Sequence, residues 1–255
     1  MSARFDLSGR VALVTGGNGG IGLGIAKGLA EAGAAIAVVG RDPAKNAAAV
    51  RELEAMGATA TGIEADVADA ASCGAMVEAA VTRLGGLHIL VCNAGINIRK
   101  PPDRYSAEEW RRILAINLDG TWQSCLAAYP ALRAAGGGKI ITNGSMLSLF
   151  GAPFAAPYAA SKGGVVQLTK SLATAWAKDN IQVNCILPGW IDTDLTRQAR
   201  RDLPELNRKV LERTPAGRWG VPEDLAGIAV FLASPASDFI TGTAIPVDGG
   251  YSAQL

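Results

Sequence analysis

Histidine is nearly absent. The chain of 255 residues has one, His88, and only four cysteines, Cys73, Cys92, Cys125 and Cys185, with no Cys-x-x-Cys pair among them. This excludes the usual zinc cluster and redox dithiol, and predicts no metal site and four reduced, mostly buried thiols. With no second histidine to complete a metal site, His88, just before Ile89-Leu90-Val91, reads as a structural or surface residue. Aromatic residues make up 5% of a chain that is 49% hydrophobic, so alanine and glycine fill much of its interior. Such a composition suits helices packed closely on a sheet and not an aromatic-rich β-sandwich. Excess charge is lacking too: 24 basic residues face 23 acidic ones, for a formal net charge of +1. Nothing in that balance calls for a nucleic acid or an anionic membrane as partner. No run approaches the ~18 apolar residues of a membrane span, and Met1 to Asp6 carries no signal-like apolar core, so a cytoplasmic protein is expected.

What the chain does have is alternation. Short β-branched runs at Val11-Val14, Ala35-Val39, Thr59-Glu64, Leu87-Cys92, Lys139-Thr142, Gln182-Leu187 and Ala244-Val247 read as strands. Between them, helical periodicity runs over Ile21-Ala32, Ala44-Met56, Ala70-Leu84, Ala107-Ala135, Ala155-Lys178 and Glu223-Ala233. Seven strands with intervening helices predict an α/β fold: one parallel sheet covered on both faces, within a single domain over 1–255. Ligands in such sheets sit at the carboxyl ends of the strands. The charged stretch Asp192 to Arg213, interrupted by Pro204, is too long for an ordinary connection. It reads either as a lid over a site, spanning about 190–217, or as an exposed surface helix.

Two patterns carry chemistry. Thr15-Gly16-Gly17-Asn18-Gly19-Gly20-Ile21-Gly22 follows the first strand and opens the first helix, where glycines permit a tight turn and free helix N–H groups attract a pyrophosphate. Tyr158 and Lys162 stand four residues apart, on one face of a predicted helix, with Ser145 thirteen residues before the tyrosine. A cation beside a phenol favours the phenolate and lowers a pKa that otherwise sits near ~10. Taken alone, the pair is equally an ordinary contact on a helix surface.

With Asn93-Ala94-Gly95, Asn117, Ser145, Tyr158, Lys162 and Pro188-Gly189 following in order, the Thr-Gly-x-x-x-Gly-x-Gly turn resembles that of short-chain dehydrogenase/reductases over nearly the whole chain. The resemblance implies a Rossmann-like three-layer sandwich and an enzyme that moves a hydride between a nicotinamide and a carbon bearing hydroxyl or carbonyl. It implies Tyr158 as general acid/base, Lys162 as its pKa-lowering neighbour and a ribose ligand, and Ser145 as a hydrogen-bond partner of the substrate oxygen. Asn117 would complete the set by holding a water that links Lys162 to solvent; a buried amide mending a helix kink is its other reading, and the two are compatible. On the cofactor side it implies Gly16, Asn18, Gly20, Ile21, Asp66, Val67, Asn93, Gly95, Pro188, Ile191 and Thr193, beside Tyr158 and Lys162. Asp66 is alternatively a turn or cap residue, and Asn93 and Gly95 a strand-ending turn.

Gly40 stands where an NAD-binding member carries aspartate, and Arg41 offers a guanidinium to a 2′-phosphate, so NADP(H) is favoured over NAD(H). Asp42 either pairs with Arg41 or reaches the ribose. The stretches Asn93 to Pro101 and Arg213 to Gly220 resemble gluconate 5-dehydrogenases and 2-deoxygluconate 3-dehydrogenases, which implies a sugar acid or polyol as the small-molecule substrate. Arg99 is then a carboxylate ligand or a surface arginine, and Trp190 a stacking platform or core packing. A 3-oxoacyl-carrier-protein reductase shares every one of these motifs and is the alternative activity; a cofactor sensor without catalysis needs only the nucleotide motifs. The family further implies a homotetramer.

Overall fold

Runs of Val, Ile, Leu and Ala that bury both of their sides become the central strands of one sheet. The computed structural model describes residues 3–202 and 204–254, the Asp202 side chain excepted. The first half of the chain runs β1 (Val11–Thr15), α1 (Gly20–Glu31), β2 (Ala35–Gly40), α2 (Pro43–Ala55), β3 (Ala60–Glu64), α3 (Ala70–Leu84) and β4 (Ile89–Cys92). It continues through α4 (Ala107–Leu114), α5 (Gly120–Ala134), β5 (Gly138–Asn143), α6 (Ala156–Trp176), β6 (Ile181–Pro188), α7 (Asp194–Asp202), α8 (Leu206–Arg213), α9 (Ala226–Ala233) and β7 (Ala244–Val247).

All neighbouring strands are parallel, in the order β3-β2-β1-β4-β5-β6-β7. Side chains alternate across the sheet, so each strand feeds two cores. Leu13, Leu90, Ile140 and Val183 pack with Met76 of α3, Leu132 of α5 and Trp176 of α6. Val14, Ile36, Val91 and Ile186 pack on the other face with Ile25 and Leu29 of α1 and Leu232 of α9. The expected three-layer α/β sandwich is therefore what forms. Because the sheet grows outward in opposite directions from β1 and β4, the loops leaving these two strands diverge and open a crevice at their carboxyl ends.

Two segments differ from the sequence reading. The single helix expected over Ala107 to Ala135 is broken by a π-turn at Ala115–Asp119, where the Gly120 N–H reaches back five residues to the Ala115 carbonyl. Widening the helix there turns Asn117 wholly inward, with 0% of its surface exposed. The stretch from Asp192 to Arg213 is two helices, α7 and α8, on either side of Pro204, whose ring has no N–H to give; Leu203 lies outside the described residues. His88 is structural: its Nδ1 accepts the Val11 N–H at 3.0 Å and fastens the start of β1 to β4. All four cysteines are free and buried. No described helix is long and apolar enough to cross a membrane.

Candidate active site

The glycine-rich turn leaves β1 at the carboxyl edge of the sheet. Gly16 adopts φ +63°, which strains any residue with a side chain, and a Cβ there would lie 3.0 Å from Ala94 Cα. No side chain caps α1, so its first N–H groups face the crevice without a side-chain partner. A groove of about 260 Å³ extends from this turn across the ends of β2 and β3, bordered by Asn18, Gly40, Arg41, Asp66, Val67 and Gly95. The groove is held open by amides. Asn18 Nδ2 donates to Asn46 Oδ1 at 2.7 Å, while Asn46 Nδ2 donates to the Gly40 and Ile63 carbonyls at 2.9 and 3.0 Å. A Cβ on Gly40 would run into this pair, so an aspartate at the position where a ribose-reading carboxylate would stand has to displace the Asn18 and Asn46 side chains. The Asp42 carboxylate caps α2 by accepting the Ala44 and Lys45 N–H groups at 2.9 and 3.1 Å, and among the described residues it forms no ion pair with Arg41. Asp66 accepts the Ala68 N–H at 3.0 Å, which makes it a turn residue as well as a border of the groove.

Asn93 is occupied with the protein itself. Its Nδ2 donates to the Thr15 and Gly16 carbonyls at 3.2 and 3.0 Å, and its Oδ1 accepts from Asn143 Nδ2 at 2.8 Å. Its side chain thus stitches the glycine turn to the ends of β4 and β5, as the strand-ending reading expects. Asn117 is similarly engaged. It exchanges hydrogen bonds with the Ile96 main chain at 2.8 and 3.0 Å and donates to Ser161 Oγ at 3.1 Å, docking the π-turn to the exit of β4 and to α6. Its side chain is thus a buried amide that ties the π-turn to its neighbours.

Tyr158 and Lys162 do share a face of α6, with the ammonium 5.7 Å from the centre of the phenol ring. Lys162 is 4% exposed, and its Nζ donates to the Asn143 main-chain oxygen at 2.6 Å. Burial brings its pKa down to about 8. The expected lowering of the Tyr158 pKa does not occur in the chain alone. Burial pushes the phenol above its ordinary value, and a hydrogen bond with Ser145 and the charge of Arg99 pull it only part of the way back. Lys162 fails to supply the drop because it is turned to Asn143 and is itself desolvated. Ser145 is placed by a short 3₁₀ turn, Met146–Ser148, in which its Oγ accepts the Leu147 N–H at 3.1 Å. Ser148 Oγ in turn donates to the Lys162 carbonyl at 2.8 Å, tying that turn to α6.

These groups open onto a cavity of about 640 Å³, which Ser145, Tyr158, Arg99, Trp190, Thr193 and Arg213 help to line. Pro188 and Ile191 also border it, so the two stretches flanking Gly189 meet the reacting end. Trp190 lines the cavity and also packs edge-on against Trp219 at 5.6 Å, over Ala199, Leu206 and Val210. Arg200 lies 4.4 Å over the Trp219 ring and pairs with Asp192. Both α7 and α8 contribute residues to the cavity wall, and the tryptophan pair packs against them.

A family profile described as enoyl-(acyl carrier protein) reductase matches residues 16–252. A 2-dehydro-3-deoxy-D-gluconate 5-dehydrogenase of Dickeya dadantii (strain 3937) is 42% identical over 251 residues, 98% of each chain. A gluconate 5-dehydrogenase of Gluconobacter oxydans (strain 621H) is 39% identical over 251 residues, again 98% of each. The crystal structure of a gluconate 5-dehydrogenase from Burkholderia cenocepacia J2315, in complex with NADP and tartrate, has a TM-score of 0.94 at 43% identity over 99% of both chains. The chain belongs to the short-chain dehydrogenase/reductase family.

As a short-chain dehydrogenase/reductase it is an NAD(P)-dependent oxidoreductase acting on CH–OH groups. A nicotinamide dinucleotide fits the residues present: uncapped N–H groups of α1 for the phosphates, the groove at β2 and β3 for the adenosine end, and a continuing cavity at Tyr158. The sequence reading missed Asn46, Asn143 and Asn97. Asn46 holds the groove open, and Asn97 and Asn143 line the cavity with buried Oδ1 atoms that have no protein partner. Asn46 and Asn143 stand at no motif spacing, Asn97 had only its place in the stretch Asn93 to Pro101, and a lone asparagine in a sequence carries no signal of its own.

Proposed function

We propose that the protein transfers a hydride between NADP(H) and the hydroxyl or carbonyl carbon of a sugar acid or a related polyol. The observation that carries this reading is the charge of the cavity. Arg99, Lys209 and Arg213 line it, whereas among the described residues its one lining carboxylate, Glu212, is neutralised by Arg208 at 2.7 and 2.9 Å. A cationic wall beside a tyrosine and a serine suits an anionic alcohol, and the unpartnered amide oxygens of Asn97 and Asn143 suit a ligand rich in hydroxyl donors. The names of the Dickeya, Gluconobacter and Burkholderia relatives agree with that class.

In this reading Tyr158 takes the proton of the substrate hydroxyl during oxidation and returns it during reduction. Ser145 donates a hydrogen bond to the same oxygen as charge develops on it. Lys162, held by Asn143, supplies a cation beside the phenol and hydrogen bonds to a ribose, and Asn117 fixes α6 against the exit of β4. The nicotinamide, when bound, supplies the hydride acceptor or donor. Asn18, Gly20, Ile21, Asp66, Val67 and Gly95 border the dinucleotide, Ile191 and Thr193 orient its nicotinamide end, and Arg99 and Trp190 meet the substrate. Exposed Arg41 beside the side-chain-free Gly40 supports NADP(H), because a guanidinium suits a 2′-phosphate and no carboxylate competes for the ribose. A homotetramer is supported by Trp122 and Leu126, exposed on α5, and by the fully exposed Phe239 ahead of β7.

Initial rates with NADP+ and NAD+, each against gluconate, deoxygluconate, glucose and an acetoacetyl thioester, test the reading. The fastest turnover is expected with NADP+ and a sugar acid. A preference for the thioester would instead assign the acyl-carrier reductase activity.

A further inference from the structure

Two arginines line the cavity, and they do different things. Arg99 comes from the loop after β4 and acts on the reacting end, since its charge is felt by the Tyr158 phenol. Arg213 ends α8 and is exposed at the cavity border. Its guanidinium lies 4.5 Å from the centre of the Tyr251 ring and 5.4 Å from that of Phe150, and both rings also line the cavity. The base of the residue is fixed as well. Thr214 closes α8 through Oγ1 on the Val210 carbonyl at 2.6 Å, and the Ala216 N–H reaches the Gly249 carbonyl at 3.0 Å.

Arg213 thus carries a positioned charge. Among the described residues no carboxylate pairs with it: its neighbour Glu212 is taken by Arg208, as is Glu205 at 2.7 Å. A guanidinium stacked on an aromatic ring keeps its in-plane N–H donors pointing outward, in the fork that matches a carboxylate.

We propose that Arg213 receives the carboxylate of the substrate while a hydroxyl of the same molecule is presented to Tyr158. The inference rests on the sugar-acid reading and adds to it which residue reads the acid. Arg99 then attends the reacting oxygen and not the acid group. A lysine cannot replace Arg213 fully, because a point charge neither stacks on Tyr251 nor binds both carboxylate oxygens in a fork.

The test compares gluconate with sorbitol, its neutral polyol counterpart, at saturating NADP+, for the wild type, Arg213→Gln, Arg213→Lys and Arg99→Gln. NADP+ binding by titration checks that each variant is folded. Arg213→Gln is expected to lose about tenfold to a hundredfold of kcat/KM on gluconate, chiefly through KM, with sorbitol changed less than about twofold. Arg213→Lys should recover part of the loss, and Arg99→Gln should lower kcat on both substrates. Equal losses on both substrates in Arg213→Gln, no loss on either, or acid selectivity lost in Arg99→Gln alone, would each overturn the assignment. A wild type that does not prefer gluconate to sorbitol would overturn the sugar-acid reading itself, and this inference with it, before any variant is compared.

Discussion

Lys162 Nζ donates to the main-chain oxygen of Asn143 at 2.6 Å, from a site where the lysine is 4% exposed. One strand end therefore anchors the ammonium of the site. Through its side chain, the same asparagine reaches Asn93 and, beyond it, the Gly16 turn. The two ends of the crevice are connected by three consecutive hydrogen bonds.

Burying that ammonium costs stability. Its pKa falls from 10.5 to about 8, so between these values the unfolded chain holds a proton that the folded chain does not. The penalty is present in full below about pH 8 and is relieved as pH rises toward 10.5; at neutral pH it amounts to about 3 kcal/mol. Lys162→Met removes it and leaves the Asn143 carbonyl without its donor, a smaller loss of about 1 kcal/mol. Urea unfolding at pH 7 and pH 10 is expected to show the variant more stable than wild type at pH 7, with the advantage shrinking or reversing at pH 10. A variant destabilised equally at both would contradict this.

Ser145 is one of two groups holding the Tyr158 pKa down against burial, Arg99 being the other. In Ser145→Ala the phenol loses that hydrogen bond, and the limb of the pH profile on which alcohol oxidation rises should move to higher pH. The rate near neutrality should fall by about a hundredfold or more. A profile unmoved by the substitution would separate Ser145 from the phenol.

A carboxylate at position 40 has to displace the amides that hold the groove open. In Gly40→Asp the new side chain runs into the Asn18–Asn46 pair, so thermal unfolding should show a loss of about 1–3 kcal/mol and NAD+ binding should not improve. Arg41→Ala, at an exposed position, should weaken NADP+ by about tenfold while NAD+ changes less than about twofold. Equal losses for both cofactors would remove the 2′-phosphate assignment.

The sheet was legible because its central strands, buried on both faces, read as unbroken apolar runs, as at Val11–Thr15 and Ile89–Cys92; the edge strand Ala244–Val247 and the helix Ala70–Leu84 also end where the pattern places them. The π-turn was not, since inserting one residue per turn leaves the helical period of Ala107 to Ala135 almost unaltered in sequence. Charge and Pro204 marked the segment beside the cavity as unusual, but the contact of Arg200 with Trp219 is made only by the fold. Tyr158, Lys162 and Ser145 were readable as a spacing. Their acidities were not, because burial and the direction of the lysine decide them.

The central claim is that Tyr158 exchanges the proton of a sugar-acid hydroxyl while NADP(H) carries the hydride. Comparing wild type with Tyr158→Phe for NADP+ reduction by gluconate, alongside NADP+ binding, tests it most directly. The account predicts turnover in the wild type, a loss of about a thousandfold or more in the variant, and NADP+ affinity within about threefold. Gluconate oxidation that survives in Tyr158→Phe, or a wild type that binds NADP+ yet oxidises no sugar acid, would contradict it.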